Sequence, residues 1–180
     1  MNGFNYYRIK TNWLAEKSEG DLEKTRTEEL VFATSYSEAE RLAYTLIERY
    51  GRGQYATPEI EILKTKIKEL IYDPILQTEE GVTSGMICCF FEEGEDTGVG
   101  LYQVKVYYTE VDEKTGKEKH STETIFIPAH SNSSATQQVL NFLEKVGETR
   151  DYIVRDTKFD KAEAIFWPYD EFSKQVNRLS

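Results

Sequence analysis

TIFIPAHSNSSATQQVLNFLEKVG, residues 124–147, repeats a pattern that the chain has already used in residues 28–51, EELVFATSYSEAERLAYTLIERYG. In both segments an apolar run of strand-forming residues meets a turn rich in Ser or Asn. A stretch with apolar residues at helical spacing follows, and a glycine ends it. The order of strand, turn, helix and glycine predicts the same local structure twice.

The similarity extends over most of the 180 residues when the chain is shifted by 95 or 96 positions. Residues 7–10 (YRIK) then fall on 102–105 (YQVK), and residues 46–51 fall on 142–147. Chance matching of amphipathic segments does not keep register through a strand, a loop and a helix. The match therefore indicates an internal duplication.

Each repeat is predicted to run strand, strand, helix, strand. Apolar residues alternate with polar ones in the first strand of each repeat, and polar loops containing glycine follow at 17–24 and 112–119. Ser37 begins a capping-box sequence before the first helix, and Asn132 or Ser133 can cap the second. We predict an α+β fold with a duplicated ββαβ unit, in which one helix covers each antiparallel sheet.

The predicted boundaries place the first repeat at 1–75, an acidic connector at 76–100, the second repeat at 101–168 and a short helix at 169–180. The connector carries six acidic and no basic residues, in a chain whose net charge is −10. Within it, the apolar run 86–91 (MICCFF) is either an added strand packed on the core or a partner-facing patch. The C-terminal helix either docks on the protein or is reserved for another protein.

Cellular location is predicted from two kinds of segment and from the cysteines. No apolar run approaches the length that spans a bilayer, and residues 1–10 do not read as a secretory signal. The only cysteines, Cys88 and Cys89, are adjacent, and neighbouring cysteines rarely form a disulfide. The sequence therefore predicts a cytoplasmic protein with two reduced thiols and no membrane partner.

The usual motifs of enzymes are missing from the sequence. It has two histidines, His120 and His130, without zinc-ligand spacing, and it lacks the glycine-rich phosphate loops and the G-x-S-x-G motif. The acidic groups Asp156/Asp160 and 92–96 do not match calcium-loop spacing. We therefore expect a non-catalytic binding protein without a cofactor or metal.

The first candidate partner is single-stranded DNA or RNA, in a replication or recombination setting. Proteins hold single strands on sheet faces that combine aromatic platforms with cations. In this role Arg8, Lys10 and Lys105 would meet phosphates and the aromatic residues would stack on bases. The predicted nucleic-acid-binding residues are Tyr7, Arg8, Lys10, Trp13, Tyr102, Lys105 and Tyr107. Tyr7, Trp13 and Tyr102 lie on the more apolar face of their strands, so the core is the alternative place for these three.

The second candidate is a protein-interaction module, an adaptor or an inhibitor of a basic partner. The acidic connector and exposed sheet edges would then form the contact surface. Its predicted partner-binding residues are Ile87, Phe90 and Phe91.

Three stretches resemble an uncharacterised family, a domain of unknown function. They are FATSYSEAER (32–41), DEKTGKEK (112–119) and EAIFWP (163–168). The family occurs in Bacteroidota chromosomes and in phages that infect these bacteria. The resemblance implies a protein of this length with two β-β-α-β repeats, and it assigns no catalytic residue. It also implies that the 76–100 segment is longer here than in other members.

Overall fold

The computed structural model describes residues 3–71, 78–80, 86–91, 98–168 and 170–171, with the backbone alone at 78–80. These residues form a mixed α+β structure with two helices and two sheets. The strands and helices, in chain order, are β1 (Asn5–Ser18), β2 (Asp21–Ala33), α1 (Tyr36–Arg49), β3 (Glu59–Lys64), β4 (Glu69–Leu70), β5 (Thr78–Glu80), β6 (Met86–Phe90), β7 (Gly100–Val111), β8 (Glu118–Ala129), α2 (Asn132–Lys145), β9 (Asp151–Asp160) and β10 (Ala164–Pro168).

The chain divides into two compact units. Unit 1 comprises 1–65, 77–90 and 162–180, and unit 2 comprises 66–76 and 91–161. Each unit contains one long hairpin, one helix and one sheet. The chain passes from one unit to the other four times, whereas the predicted boundaries treat 1–75 and 101–168 as two continuous repeats.

The sheet of unit 1 has six strands in the order β3-β1-β2-β10-β6-β5. Its hairpin β1–β2 is antiparallel, and β3 returns along the other side of β1 after α1. Strand β10 pairs in parallel with β2, with Ile165 opposite Leu30, and antiparallel with β6. A strand from the end of the described chain therefore sits inside this sheet.

The sheet of unit 2 has four strands in the order β4-β8-β7-β9. Hairpin β7–β8 and the pair β7–β9 are antiparallel, whereas β4 pairs in parallel with β8 through Leu70 and Phe126. The prediction of purely antiparallel sheets is wrong at one strand pair in each unit. Strands β3 to β6 follow α1, and β4 among them pairs with β8. Strands β9 and β10 follow α2, and β10 pairs with β2.

Both helices begin at a serine that lies earlier than predicted. The hydroxyl of Ser35 accepts a hydrogen bond from the backbone N–H of Glu38 at 3.1 Å. The hydroxyl of Ser131 accepts one from the N–H of Ser134 at the same distance. The caps are therefore these two residues and not Ser37, Asn132 or Ser133, because the helical turns already include the latter three.

Each helix buries its apolar stripe against the sheet of its own unit. Leu42 and Leu46 of α1 belong to a core cluster with Tyr7, Val31 and Phe166. In unit 2, α2 packs on β7, β8 and β9. Its buried residues are Ala135, Val139 and Leu143. The core of unit 1 therefore includes a residue of β10, which ties α1 to the parallel strand pair.

The apolar run 86–91 contributes β6, an interior strand of the unit 1 sheet. Cys88 and Cys89 form no disulfide and have no exposed surface, and burial raises the pKa of the Cys89 thiol. The acidic residues 92–96 and the residues 172–180 of the predicted C-terminal helix lie outside the described residues. Among the helices that the structure describes, none has the length and hydropathy needed to cross a membrane.

The serine caps provide a test of helix stability. Replacing Ser131 by Ala removes the acceptor for an N–H of the first turn, so we expect the free energy of unfolding to fall by about 1 kcal/mol. The measurement is urea denaturation followed by circular dichroism. Ser133→Ala, an exposed site in the first turn of the same helix, is the matched control and should change stability by less than about 0.5 kcal/mol. Equal effects of the two substitutions would contradict the cap assignment.

Candidate functional site

Three of the residues predicted to bind a partner are buried. Tyr7 and Tyr102 are each 5% exposed, and Ile87 is 4% exposed. Tyr7 packs in the core of unit 1, and the ring of Tyr102 contacts that of Phe159 edge to face. A base or a partner protein cannot reach these side chains, so their assignment as binding residues is corrected.

The two predicted phosphate contacts of unit 1 are already paired with carboxylates. Arg8 lies 3.4 Å from Glu28, and Lys10 lies 4.0 Å from Glu61. Arg26 shares the same Glu28 at 3.6 Å. A phosphate would have to displace these carboxylates, which makes this sheet face a poor site for a nucleic-acid backbone.

The corresponding cations of unit 2 are not neutralised in this way. Lys105, Arg155 and Lys158 are exposed. Among the residues that the structure describes, no carboxylate lies within ion-pair distance of any of the three. Lys105 points away from α2, because its neighbours Val104 and Val106 are buried on the helix side. This group, with the aromatic side chains of Tyr107 and His120, is called the basic aromatic face below.

Tyr107 lies at the centre of the basic aromatic face. Its ring stacks on that of His120, with ring centroids 5.3 Å apart and planes inclined by 21°. The guanidinium carbon of Arg155 lies 4.8 Å from the centroid of the same ring. These contacts come from three different strands, β7, β8 and β9, so the sheet fixes the orientation of the tyrosine.

Arg155 was not among the residues predicted from the sequence. A bulge in β9 explains this, because Val106 pairs with Val154 whereas its neighbour Lys105 pairs with Asp156. The extra residue is Arg155, and the bulge keeps it on the same face as Lys158 although three positions separate them. Simple alternation places such a pair on opposite faces, so no signal in the sequence identified Arg155.

A cleft of about 570 Å³ lies along the outer half of the unit 1 hairpin. Trp13, the remaining predicted aromatic, lines this cleft. Its other lining residues are Asn12, Leu14, Lys24, Thr25, Arg26, Ala56, Thr57 and Glu59. Trp13 therefore belongs to unit 1, whereas Tyr107 and Lys105 belong to unit 2.

A buried ion pair lies behind Trp13. Arg52 donates two hydrogen bonds to the carboxylate of Glu29, at 2.7 and 2.6 Å, and both residues are almost fully buried. The guanidinium carbon of Arg52 is 6.0 Å from the Trp13 ring and 5.0 Å from the Tyr50 ring. The pair thus fixes the loop after α1 against the sheet.

Several buried polar atoms around this pair have no hydrogen-bond partner. They are Thr11 Oγ1, Trp13 Nε1, Thr27 Oγ1 and Arg52 Nε. Thr11 and Thr27 face each other across β1 and β2. Each such atom costs about 1–3 kcal/mol when it stays unsatisfied. Unpartnered buried groups concentrated in one place need a structural or functional reason.

The charges near this ion pair also affect neighbouring acids. Burial, and then the carboxylate of Glu29, raise the pKa of the Glu163 carboxyl, while Arg52 acts in the opposite direction. Burial also raises the pKa of Tyr50. Both effects follow from the low polarity around the Glu29–Arg52 pair.

Residues 5–169 match the domain of unknown function DUF4494. The chain belongs to this family. The match covers most of the chain and includes both hairpins, both helices and β10. No curated protein matches the chain. Membership of the DUF4494 family therefore adds no activity to what the geometry indicates.

Metal-ligating side chains are not gathered in the part of the DUF4494 protein that the structure describes. No group of three or more His, Cys, Asp or Glu there could hold an ion. Asp160 instead accepts a hydrogen bond from the Gln103 amide at 2.5 Å. The acidic group 92–96 lies outside the described residues.

The Glu29–Arg52 pair provides a second test. Replacing Arg52 by Met leaves a buried carboxylate without its partner, and we expect the free energy of unfolding to fall by about 3–5 kcal/mol. The double variant Glu29→Met/Arg52→Met should lose less than Arg52→Met alone, because no charge is left buried. Urea denaturation measures all variants.

The matched control for this test is the exposed pair of unit 1. Lys10→Met removes a contact to a largely exposed Glu61 and should cost less than about 1 kcal/mol. Additive losses in the double variant would contradict the assignment of Glu29 and Arg52 as one buried unit.

Proposed function

We propose that this protein binds single-stranded nucleic acid, without catalysis, through the basic aromatic face of unit 2. The observation that carries the proposal is the presence of three exposed cations, Lys105, Arg155 and Lys158, on the face of Tyr107, with the Arg155 guanidinium carbon 4.8 Å from the centroid of its ring. Cations contact phosphates, and aromatic rings and guanidinium planes stack on unpaired bases. The binding would be tolerant of sequence, because no motif that reads base edges is part of the face.

The contrast between the units supports this location. Arg8 and Lys10 have carboxylate neighbours, whereas the three cations of unit 2 have none within ion-pair distance among the described residues. A net charge of −10 opposes phosphate binding in general, but charges beyond about 10 Å are screened at moderate salt. The local charges therefore decide whether a strand binds, and they include the exposed carboxylate of Asp156, which lies opposite Lys105 on β9.

We also propose that the two halves of the chain arose by duplication of one hairpin–helix unit whose final strands are exchanged. Equivalent features lie 96 positions apart, which supports this origin. They are the caps Ser35 and Ser131 and the positive-φ glycines Gly20 and Gly116, and Gly51 and Gly147. The parallel pairs β2–β10 and β8–β4 would then be the same contact made twice.

A cytoplasmic accessory role in phage or bacterial DNA replication or recombination follows from this proposal. Exposed single strands occur as intermediates in both processes. A protein that holds them without reading sequence protects them or presents them to an enzyme.

The exposed edge strand β9 favours protein interaction as a second candidate. It ends the unit 2 sheet and exposes Ile153 and Phe159 by 54% and 39%. An unpaired edge with apolar side chains can accept a strand from another chain. Phe90, from the predicted patch, is 43% exposed, and Phe91 is half-buried. A partner strand should slow the exchange of the β9 amide hydrogens, which hydrogen–deuterium exchange measures.

Fluorescence anisotropy tests the nucleic-acid proposal. A labelled single strand of about 30 nucleotides is titrated with the protein at low and at moderate salt. We expect saturable binding that weakens with salt, because phosphate contacts release counterions. The variant Lys105→Ala/Arg155→Ala/Lys158→Ala should bind about tenfold or more weakly and show a smaller salt slope.

The control variant is Arg8→Ala/Lys10→Ala, which removes two cations from the paired face of unit 1. It should bind almost as the unaltered protein does. Flat anisotropy at both salts, with the fold verified by circular dichroism, would rule out the proposal. Equal losses in the control and the triple variant would move the interface away from the basic aromatic face.

A further inference from the structure

We propose that the cleft of unit 1 receives an extended peptide of a partner protein, with alternating apolar and acidic residues, along the outer edge of β1. The cleft shares no residue with the basic aromatic face of unit 2. The proposal therefore goes beyond single-strand binding and does not depend on it.

The outer half of β1 lacks a neighbouring strand on one side. Strand β1 runs to Ser18, whereas β3 pairs with it only from Tyr7 to Asn12. In the part of the chain that the structure describes, β1 from Trp13 onwards has a strand partner only in β2. The N–H and C=O groups along such an edge can pair with a strand from another chain.

A proline lies where β3 separates from β1. Pro58 immediately precedes β3 and has no N–H to donate to a ladder. The hydroxyl of Tyr55 donates a hydrogen bond to the carboxylate of Glu16, which keeps residues 55–58 close to the outer part of β1. No backbone hydrogen bond joins these residues to β1 within the described structure. Residues 55–58 therefore flank the free edge of β1 without pairing with it.

The cleft of about 570 Å³ lies at this edge. Three consecutive residues of β1, 12–14, line it together with Ala56 and Thr57. Consecutive residues of a strand point to opposite faces, so the cleft borders the backbone of β1 as well as its side chains. An extended peptide fits such a site, because its backbone pairs with the edge while its own side chains alternate between the two faces.

The face of the hairpin that points away from α1 predicts the acidic residues of the peptide. On this face Lys24 lies opposite Leu14, and Arg26 lies opposite Asn12. Both cations are exposed and line the cleft. Among the described residues no carboxylate forms an ion pair with Lys24, and the one beside Arg26 is Glu28, at 3.6 Å. Acidic side chains on the peptide complement this charge.

The carboxylate of Glu59 restricts where an acidic residue can lie. Glu59 lines the cleft on the same face, opposite Asn12, where β3 begins. It repels a negative charge at that end of the cleft. The acidic side chain is therefore expected at the outer end, beside Lys24.

The other face of the hairpin predicts the apolar residues of the peptide. Trp13 and Ala15 share this face with Ile9, which belongs to the core beneath α1. Trp13 lines the cleft and is half-buried, so part of its indole stays open to a ligand. An apolar side chain that packs on this indole removes further apolar surface from water.

Tryptophan fluorescence tests this site directly, because the chain has two tryptophans and Trp167 is only 1% exposed. The probe is a capped peptide of about eight residues in which Val alternates with Glu. We expect a saturable change of emission and slower hydrogen exchange of the amides at 13–16. A peptide with Lys in place of Glu should bind at least about tenfold more weakly. The same loss is expected for a Val/Glu peptide with alternate amides N-methylated, which keeps the side chains but cannot pair as a strand.

Variants connect the signal with the cleft. Lys24→Ala/Arg26→Ala should weaken binding of the Val/Glu peptide about tenfold or more. Lys17→Ala, an exposed lysine of the same hairpin outside the cleft, should leave it unchanged. The triple variant at Lys105, Arg155 and Lys158 should also bind the peptide normally, which separates this proposal from the one for unit 2.

Three results would overturn the proposal. One is the absence of a saturable response to the Val/Glu peptide at millimolar concentration. Another is equal affinity for the N-methylated peptide, which would exclude strand pairing. The last is unchanged affinity in Lys24→Ala/Arg26→Ala when circular dichroism shows that the variant is folded.

Two further results would give the cleft a different occupant and would also contradict the proposal. Displacement of the peptide by a single strand of about 30 nucleotides, retained in the unit 2 triple variant, would assign the cleft to nucleic acid. A dimer that forms without peptide and dissociates when the peptide is added would assign it to a second copy of this chain. Sedimentation equilibrium measures the second case.

Discussion

The parallel pairing of β10 with β2 is the contact on which unit 1 depends. Strand β10 lies between the hairpin β1–β2 and the strands β6 and β5, so these last two join the sheet only through it. Its residues Ile165, Phe166 and Trp167 are at most 1% exposed. Phe166 packs with α1, and the indole N–H of Trp167 donates a hydrogen bond to the hydroxyl of Tyr6 at 3.0 Å. The five residues of β10 thus supply both backbone hydrogen bonds to two strands and packing to the core.

The hairpins and helices could be predicted because their signals are local. Period-two alternation identified β1 and β7, and helical spacing identified α1 and α2. The caps were misplaced by one or two residues, since several serines compete in each turn and only the backbone geometry distinguishes Ser35 from Ser37. Local patterns therefore identify an element better than they locate its end.

The parallel strand pairs could not be predicted from the sequence. Residues 164–168 read AIFWP, a short continuous apolar run. Such a run is typical of a buried strand but also of other buried segments. Nothing in such a run identifies the strand with which it pairs, and Ile165 lies far along the chain from its partner Leu30. The repeat pattern instead favoured strand pairing within each half of the chain. Two similar halves predict two similar sheets, but the similarity does not show which half supplies each strand.

The candidate sites were predicted only in part, because strand alternation is a local signal whereas bulges and long-range ion pairs are not. Lys105 and Tyr107 lie on the open face that alternation predicts, and the same alternation explains why Tyr7 and Tyr102 are buried. Arg155 depends on a bulge, and Arg52 meets Glu29 across 23 positions of the chain. A bulge or a long-range ion pair forms only when separate strands and loops come together. A sequence pattern therefore predicts which face of a strand is exposed more readily than it predicts which two side chains meet.

The interior place of β10 has a consequence for synthesis on the ribosome. Hairpin β1–β2, α1 and β3 leave the ribosome first, but the edge of β2 stays unpaired until residues 164–168 have been translated. During that time the chain presents a strand edge that contains Leu30 and Val31, and such edges recruit other chains. Translation speed and chaperone access would therefore change the yield of folded protein, whereas they would leave the stability of the folded protein unchanged.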